Sequence, residues 1–415
     1  MKGLLQSTYR MAAWLLLVGL LSGCGGGNGE DGDPQDPKEK SDWTVLVYMA
    51  ADNELGLSEP GELSAALSDM NEMEKVGSTE SVDVIVQIDL PEGQDWTSCR
   101  RYRIESDPDP MTVNSPVRKD LGECDMSQPL TLRRFLRWGV NEYPADRYLV
   151  VLWGHGEAWL QEVQPASIFN DWSGDPDAFM PNYLLRQALE GAGIRPDILA
   201  FDACVMGSLE VAYELRGRAD IMVSSQDEVH IDGYPYDDIL WDLVNAPDLS
   251  PQELAQTIVT LYGEYYTGKP NLRLVCLSAL RMSGVDSIAN AVDDLAGTLT
   301  DGIQDQDFFD SLSLVREDSE TFTNSWERYV DLRDLAMELR IQMGLDAQAL
   351  ESAVDAAIIE SFQREGHPDA SGLSVYFPKT RFWYEWDPTY DSGSPSAFMD
   401  RDWDEFLEAY FSLLP

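Results

Sequence analysis

A cysteine and a histidine occupy equivalent places after two apolar segments. Residues 198–201 lead to Cys204, and residues 148–152 lead to His155. Both segments are continuous and β-prone, which is typical of central parallel strands covered on both faces. In an open α/β sheet, reactive groups gather at the carboxyl ends of the strands. Two neighbouring strands would therefore bring the thiol and the imidazole together, as a cysteine nucleophile with a histidine base requires.

The residues around this pair fit the same chemistry. A thiol at its ordinary pKa is only slightly ionised near neutrality, so Cys204 needs His155 as a base or a positive field. We expect a helix after Cys204 to point its positive end at the sulfur. Gly156 would let its N–H approach a substrate carbonyl and form an oxyanion hole with the Cys204 N–H. Taken singly, a buried strand-end cysteine and a core histidine are the alternatives, but their matched positions favour catalysis.

Alternating strands and helices surround the two segments. The sequence predicts strands at 43–50, 82–89, 219–224 and 273–280, and helices at 62–76, 131–143, 183–192, 210–216, 252–266 and 285–299. This alternation predicts an α/β fold, a three-layer α/β/α sandwich with a mainly parallel sheet. After residue 300 the pattern is mostly helical, at 307–314, 330–342, 347–363 and 403–413, with one strand at 372–378. We predict one domain at 42–300 and a helical C-terminal region at 301–415 that packs on it.

The charge balance excludes one class of partner. The chain has 74 acidic and 29 basic residues and a formal net charge of −45. Nucleic-acid binding calls for Lys and Arg that this chain lacks, so we expect no nucleic-acid partner. Strong acidity favours solubility and attracts basic ligands, although it is also compatible with a generally acidic proteome.

The N-terminus has the pattern of an export signal. Lys2 and Arg10 precede an apolar run at 11–21, which is too short to span a membrane. Leu21-Ser-Gly-Cys24 resembles the bacterial lipobox, so we predict a signal peptide at 1–23 and acylation of Cys24. Gly25 after the cysteine favours the outer membrane, and ordinary secretion is the alternative. Residues 24–41 are predicted to be a flexible tether, so membrane contact is expected through the lipid anchor only.

The other cysteines have separate predictions. Cys99 and Cys124 lie in polar, turn-rich sequence around a predicted hairpin, and in an exported protein a disulfide between them is plausible. Cys276 lies inside the apolar run 272–277, which predicts a buried free thiol.

Two motifs together resemble a known family. Trp153-Gly-His-Gly156 and Asp202-Ala-Cys-Val-Met-Gly207 are similar to segments of the clostripain family of cysteine endopeptidases, relatives of caspases, gingipains and legumain. The 49 positions from His155 to Cys204 agree with the caspase spacing of about 50 residues. Segments 44–53 and 372–378 are also similar, so the resemblance covers most of the mature chain. It implies a caspase-like fold at 42–300 and peptide-bond hydrolysis without an organic cofactor.

The resemblance also implies a substrate preference. The family typically cleaves after arginine, sometimes lysine, and Asp202 matches the acidic position of its specificity pocket. Strand residues two apart face the same side, so Asp202 and Cys204 can share a site, and a carboxylate can bind guanidinium through paired hydrogen bonds. Asp227 and Glu228 could form a second acidic wall. The alternative for Asp202 is a structural carboxylate that accepts backbone N–H groups. The expected partners are proteins or peptides with exposed Arg or Lys.

The loop after His155 departs from the family pattern. Many members cut themselves there after a basic residue, but no Lys or Arg occurs between Gly156 and Leu185. We therefore expect the mature protein to stay one chain or to be activated by another protease.

Evidence for a metal is weak in this sequence. Asp171, Asp175 and Asp177 are spaced like calcium ligands, and some relatives depend on calcium, but the glutamate that ends an EF-hand loop is missing. His230 and His367 have no histidine or cysteine partner at zinc-ligand spacing. A solvated loop is the favoured interpretation of the three aspartates.

A second class of function stays open at this stage. A surface-anchored binding or adhesion lipoprotein could retain the protease-like fold with an inactive site. The intact dyad, glycine and pocket aspartate together count against that alternative.

Overall fold

The fold is built around one sheet whose central strands run parallel. The computed structural model describes residues 39–58, 61–94, 96–158, 168–174, 179–322, 327–386, 390 and 396–414. The strands in this part of the chain are β1 Ser41–Ala50, β2 Val82–Asp89, β3 Arg100–Arg103, β4 Val117–Asp120, β5 Ala145–Trp153, β6 Ile198–Asp202, β7 Ile221–Ser224, β8 Cys276–Arg281, β9 Tyr329–Asp331, β10 Ile358–Gln363 and β11 Ser374–Tyr376.

The strand order positions β5 and β6 at the centre. The main sheet has the order β10-β8-β7-β6-β5-β1-β2-β3-β4, and β9 pairs separately with β11. Strands β7, β6, β5, β1 and β2 are parallel, and the two strands on each edge are antiparallel. The predicted mainly parallel sheet is confirmed.

Helices cover both faces of this sheet. They are α1 Ala65–Val76, α2 Pro129–Glu142, α3 Asn182–Ala192, α4 Leu209–Glu214, α5 Tyr236–Asn245, α6 Pro251–Thr267, α7 Val285–Gly302, α8 Gln306–Asp318, α9 Leu332–Met343, α10 Gln348–Ala357, α11 Arg381–Trp386 and α12 Trp403–Leu413. The core on one face includes α1, α5 and α6, and the core on the other includes α2, α3, α4, α7 and α12. The three-layer α/β/α sandwich is therefore confirmed.

Strand β1 shows why the central strands read as continuous apolar runs. Val45, Val47 and Met49 belong to the core on the α6 side, and Leu46 and Tyr48 belong to the opposite core. Successive side chains of a strand point to opposite faces, so a strand covered on both faces must be apolar at every position.

Two of the helices predicted after residue 300 are shorter than expected. The helix predicted at 347–363 ends at Ala357, and the next six residues form β10, which pairs antiparallel with β8. Ile358 and Ile359 are β-branched, which favours a strand where a sheet edge offers hydrogen bonds. The helix predicted at 330–342 begins at Leu332, because the Asp331 side chain caps it by accepting from two backbone N–H groups.

The predicted N-terminal features lie outside the described residues. These are the signal peptide at 1–23, the acylation site Cys24 and most of the tether at 24–41. Within the described ranges, no helix has both the length and the apolar character needed to cross a membrane. The residues from Glu39 onward form one compact unit. The domain boundary at residue 300 stays a prediction, and β10 belongs to the same sheet as the strands before it.

Cys99 and Cys124 are neighbours at the β3–β4 edge, but both are free thiols. The Cys99 N–H donates to Gly122 O at 2.9 Å, and the Cys124 thiol lies 3.9 Å from the same oxygen. The two cysteines are therefore reduced in this structure. The disulfide that we expect between them in an exported protein stays a prediction. Cys276 is a buried free thiol, as predicted.

Candidate active site

The register of two parallel strands brings the predicted dyad together. Trp153 at the end of β5 pairs with Asp202 at the end of β6, and the Gly154 N–H donates to Asp202 O at 3.2 Å. His155 and Cys204 each follow two residues after this pair. Both side chains line one cavity of about 280 Å³. Because the two strands end at paired residues, the thiol and the imidazole lie at the same end of the sheet.

Gly156 brings the histidine loop against the cysteine loop. A Cβ atom at this position would lie 2.3 Å from the Cys204 carbonyl oxygen and 3.0 Å from the Cys204 nitrogen. Only glycine fits so close to another backbone. The two N–H groups predicted to bind an oxyanion thus belong to chain segments in direct backbone contact.

The backbone directly after Cys204 is strained. Val205 has φ 51°, a left-handed conformation that is a true outlier for a β-branched residue. Its N–H donates to Asp227 O at 3.0 Å, and the Gly207 N–H donates to Ser225 O at 2.7 Å. The segment after β7 therefore holds the cysteine loop in a costly conformation, as is common at functional sites.

The surroundings of Cys204 disfavour the thiolate in the free protein. Burial raises the pKa of the Cys204 thiol to about 12, and the charges of Glu228, Glu157 and Asp227 add to this. Its only hydrogen-bond contact within the described residues is a weak one to Val229 O at 3.8 Å. Helix α4 begins five residues later, at Leu209. The effect of this helix on the thiolate stays a prediction, and with a raised pKa a nucleophilic Cys204 would need a base during attack.

A carboxylate that the sequence did not suggest lies beside His155. Glu54 Oε1 is 3.0 Å from His155 Nε2, although the two atoms are not aligned for a hydrogen bond. Glu54 begins a 3-10 helical turn, Glu54–Gly56, that follows β1 and is capped by the Asn53 side chain. A carboxylate at this distance would stabilise the imidazolium that forms when His155 takes a proton. In the sequence, Glu54 could have been identified from its position directly after segment 44–53, which resembles the family.

Asp202 is buried and lines the same cavity as the dyad. Its Oδ2 accepts the Tyr236 hydroxyl at 2.8 Å and the Tyr234 N–H at 3.2 Å. Burial raises the pKa of Asp202 to about 6, against the opposite effect of these two hydrogen bonds. Asp202 thus accepts a backbone N–H, as in the structural alternative, and it also lines the cavity; its role in substrate selection stays a prediction.

A second buried carboxylate lies behind Asp202. Asp69 of α1 accepts the Trp153 indole N–H at 2.7 Å. A methyl group on Gly233 would lie 2.9 Å from Asp202 Oδ2 and 3.1 Å from Asp69 Oδ2. Burial and the Asp202 charge raise the pKa of Asp69 well above its usual range. In the sequence, Asp69 could have been noticed as an aspartate between Ala66 and Met73, on the buried face of the predicted helix.

The two residues of the predicted second acidic wall have different roles. Glu228 lines the cavity, but Asp227 does not. Asp227 Oδ2 is 2.6 Å from His367 Nε2, and His367 Nδ1 is 2.9 Å from Glu320 Oε1. Asp227 and His367 are both fully buried. The prediction for Asp227 as a pocket wall is therefore not met, because its carboxylate pairs with a buried histidine instead.

That buried histidine fixes the segment that supports Cys204. Burial alone would lower the pKa of His367, but its hydrogen bonds to Asp227 and Glu320 raise it to about 9. His367 is thus charged near neutrality and holds two carboxylates from separate parts of the chain. Because Asp227 O accepts the Val205 N–H, this cluster is linked directly to the cysteine loop.

The described residues show no metal-binding cluster. Within these residues, no group of three or more His, Cys, Asp or Glu side chains could hold an ion. Asp171 accepts from Met126 N at 2.7 Å and from the Ser173 hydroxyl at 2.6 Å, so it acts in loop structure. Asp175 and Asp177 lie outside the described residues.

The site combines a cysteine and a histidine in one cavity, at the carboxyl ends of neighbouring central strands. In an α/β/α sandwich, this arrangement defines the class of cysteine hydrolases with a caspase-like architecture. The model of the clostripain family matches residues 47–410. The chain belongs to the clostripain family, a family of cysteine endopeptidases.

The chain also resembles individual proteins of this family. It is 28% identical over 232 residues to clostripain of Hathewaya histolytica, a match that covers 49% of this chain and 42% of that protein. The chain thus matches less than half the length of this curated relative.

Solved structures share the fold. A secreted C11 cysteine protease from Bacteroides thetaiotaomicron, bound to an irreversible peptide inhibitor, has 23% identity and a TM-score of 0.63, over 89% of this chain and 98% of that one. An inactive zymogen C11 protease from Parabacteroides distasonis has 22% identity and a TM-score of 0.63, over 89% and 99%.

Substitution Gly156→Ala tests the backbone contact between the two loops. The methyl group cannot fit 2.3 Å from the Cys204 oxygen, so the loops must separate. A shift of about 1 Å can cost about 100-fold in rate, so we expect that loss in kcat/KM on an arginyl peptide. Gly297→Ala in α7 is the matched control, since a Cβ there has open space. Activity of Gly156→Ala within threefold of wild type would contradict the prediction.

Substitution His367→Gln tests the buried cluster behind Cys204. Removing one partner of a buried ion pair costs about 3 kcal/mol, so unfolding in urea at pH 6 should need less denaturant. The folded pKa of His367, about 9, lies above its unfolded value near 6.5. Its stabilisation is therefore fully present below about pH 6.5 and is lost as the pH rises through 9. The stability difference between wild type and variant should shrink from pH 6 to pH 10, and a constant difference would contradict this role.

Proposed function

We propose that this chain is a cysteine endopeptidase that cleaves proteins or peptides after basic residues, with arginine preferred. The observation that carries the proposal is one cavity lined by the thiol of Cys204, the imidazole of His155 and the carboxylate of Asp202. The thiol and imidazole supply nucleophile and base, and the carboxylate supplies a reason to select a cationic side chain. Family membership and the shared fold support the reaction class.

The proposed mechanism proceeds through an acyl-enzyme. His155 takes the Cys204 proton while the sulfur forms a bond to the substrate carbonyl carbon. The N–H groups of Gly156 and Cys204 bind the oxyanion, and each such donor is worth a few kcal/mol in the transition state. The carbon–nitrogen bond then breaks, and His155 gives its proton to the leaving amine. A water molecule, deprotonated by His155, cleaves the thioester and restores the thiol.

Substrate charge would assist this reaction. In the free protein, burial and nearby carboxylates, including Glu228, hold Cys204 in the thiol form. A bound guanidinium would offset those negative charges and donate paired hydrogen bonds to Asp202. Binding of a basic residue would therefore both orient the substrate and ease ionisation of the nucleophile.

The proposed location is the bacterial cell envelope. The N-terminal sequence supports export, acylation at Cys24 and retention at the outer membrane, with membrane contact through the lipid only. One relative of known structure is described as secreted. In an oxidising compartment the adjacent thiols of Cys99 and Cys124 would form the predicted disulfide.

An inactive binding lipoprotein is the second candidate. The feature that favours it is the buried, acidic environment that raises the pKa of Cys204. The two candidates differ in the reactivity of the thiol. A vestigial Cys204 should alkylate no faster than a free thiol, whereas a nucleophile paired with His155 should react faster.

A panel of fluorogenic peptides ending in arginine, lysine, aspartate or leucine tests the proposed activity. We expect the chain from Glu39 onward to cleave after arginine, then lysine, and not after aspartate or leucine. The variants Cys204→Ala and His155→Ala should lose at least about 1000-fold in kcat/KM, because the dyad acts as a unit. Arginine cleavage that persists in Cys204→Ala would refute this mechanism.

Substitution Asp202→Asn tests the specificity pocket. Asparagine keeps the shape and loses the charge, so kcat/KM for arginine peptides should fall about 10- to 100-fold. Peptides with citrulline, the neutral analogue of arginine, should change much less, and they provide the control. Because the free Asp202 has a pKa of about 6, the arginine preference of wild type should weaken as the pH falls through 6. Equal losses on arginine and citrulline peptides would indicate a structural role only.

A further inference from the structure

A second and larger cavity adjoins the candidate active site. Its volume is about 560 Å³, and its lining includes Leu272, Leu274, Val275, Gly366, Glu228 and His230. We propose that it is a second substrate subsite, which binds an apolar side chain of the peptide close to the basic residue at the cleavage point. This inference rests on the proposed endopeptidase function and adds a second determinant to its substrate class.

The two cavities are neighbours that share part of their lining. Glu228 and His230 line both of them, and Val229 between these residues has its carbonyl oxygen 3.8 Å from Cys204 Sγ. A peptide whose arginine occupies the Asp202 cavity would therefore lie next to this segment. An extended peptide advances about 3.3 Å per residue, so a side chain one or two positions away can reach the second cavity.

The chemistry of the lining indicates which side chain would bind. Leu272, Leu274 and Val275 give it an apolar wall, and Leu274 is 38% exposed without a ligand. Ile231, which lines the neighbouring cavity, is 60% exposed. Ligand pockets are typically apolar with a few polar groups, and such a pocket gains free energy by burying an apolar side chain. Two charged residues also line the cavity: Arg273 is paired with Glu365 at 3.2 Å, and Glu228 at the boundary disfavours an acidic side chain.

The wall of the cavity is built in advance of binding. The Gly366 N–H donates to Arg273 O at 2.9 Å, and the Arg364 N–H donates to Val275 O at 3.2 Å, which extends the pairing of β8 with β10. A Cβ atom on Gly366 would lie 2.4 Å from Arg273 O, so this close pairing requires glycine. A rigid wall of this kind can select a side chain without a large ordering cost.

The test uses the full chain in mild detergent and two peptide libraries with a fixed arginine. One library varies the residues before the arginine, and the other is internally quenched and varies those after it. We expect leucine or phenylalanine to exceed glycine and aspartate by roughly tenfold in kcat/KM at one position. Substitution Leu274→Asp should abolish this preference, and Leu274→Ala should shift it toward larger side chains. Leu314→Asp, at another exposed leucine, is the matched control and should leave the preference intact.

The outcomes separate the two levels of the proposal. Cleavage after arginine with rates that differ by less than twofold across neighbouring residues would overturn the subsite and leave the endopeptidase function standing. A preference that survives both Leu274 substitutions would also overturn it. Failure of wild type to cleave any arginine peptide would overturn the proposed function, and the subsite with it.

Discussion

The backbone contact between Gly156 and Cys204 is the constraint on which the candidate site depends. Two parallel strands end at the same level, with Trp153 opposite Asp202, and the chain then brings Gly156 against the Cys204 carbonyl. The paired strand ends place the histidine loop and the cysteine loop at the same edge of the sheet, and Gly156 allows the two loops to approach closely. A nucleophile and base can therefore come from positions far apart in sequence and still be held by rigid elements, which is what precise catalytic geometry requires.

Buried carboxylates around the cavity are the second main feature of the site. Asp202 and Asp69 lie close together beside the cavity, and Glu228 lines its edge. Burial raises the pKa values of Asp202 and Asp69, and the Asp202 charge adds to the effect on Asp69. Burial and nearby carboxylates also raise the pKa of the Cys204 thiol. Uncompensated buried charge is costly to a fold, but a cationic ligand can relieve that cost. Within the described residues neither Asp69 nor Asp202 has a basic side chain as an ion-pair partner, which supports the proposal that the site binds a basic side chain of the substrate.

The sequence predicted features that depend on local order along the chain. Continuous apolar runs identified the central strands, and strand ends identified His155 and Cys204, because parallel strands deliver their carboxyl ends to one edge of a sheet. Short apolar segments were harder to assign: the region after Ala357 fits a helix or a strand by composition, and only pairing with β8 decides between them.

The direction of individual side chains also could not be predicted from the sequence. Asp227 and Glu228 are adjacent in sequence, yet one pairs with buried His367 and the other lines the cavity. Glu54 and Asp69 are far from β5 and β6 in sequence, so their positions along the chain are only weak signals, and the fold is needed to show that they lie near the site.

Covalent trapping with an arginyl chloromethyl ketone is the most direct test of the central claim, that His155 activates Cys204 in a site for basic residues. Mass spectrometry of digested protein would identify the labelled residue and its rate of modification. We expect rapid labelling of Cys204, about 100-fold slower labelling in His155→Ala, and slower reaction with a leucyl analogue. Equal rates in wild type and His155→Ala, or preferential labelling of another cysteine, would contradict this claim.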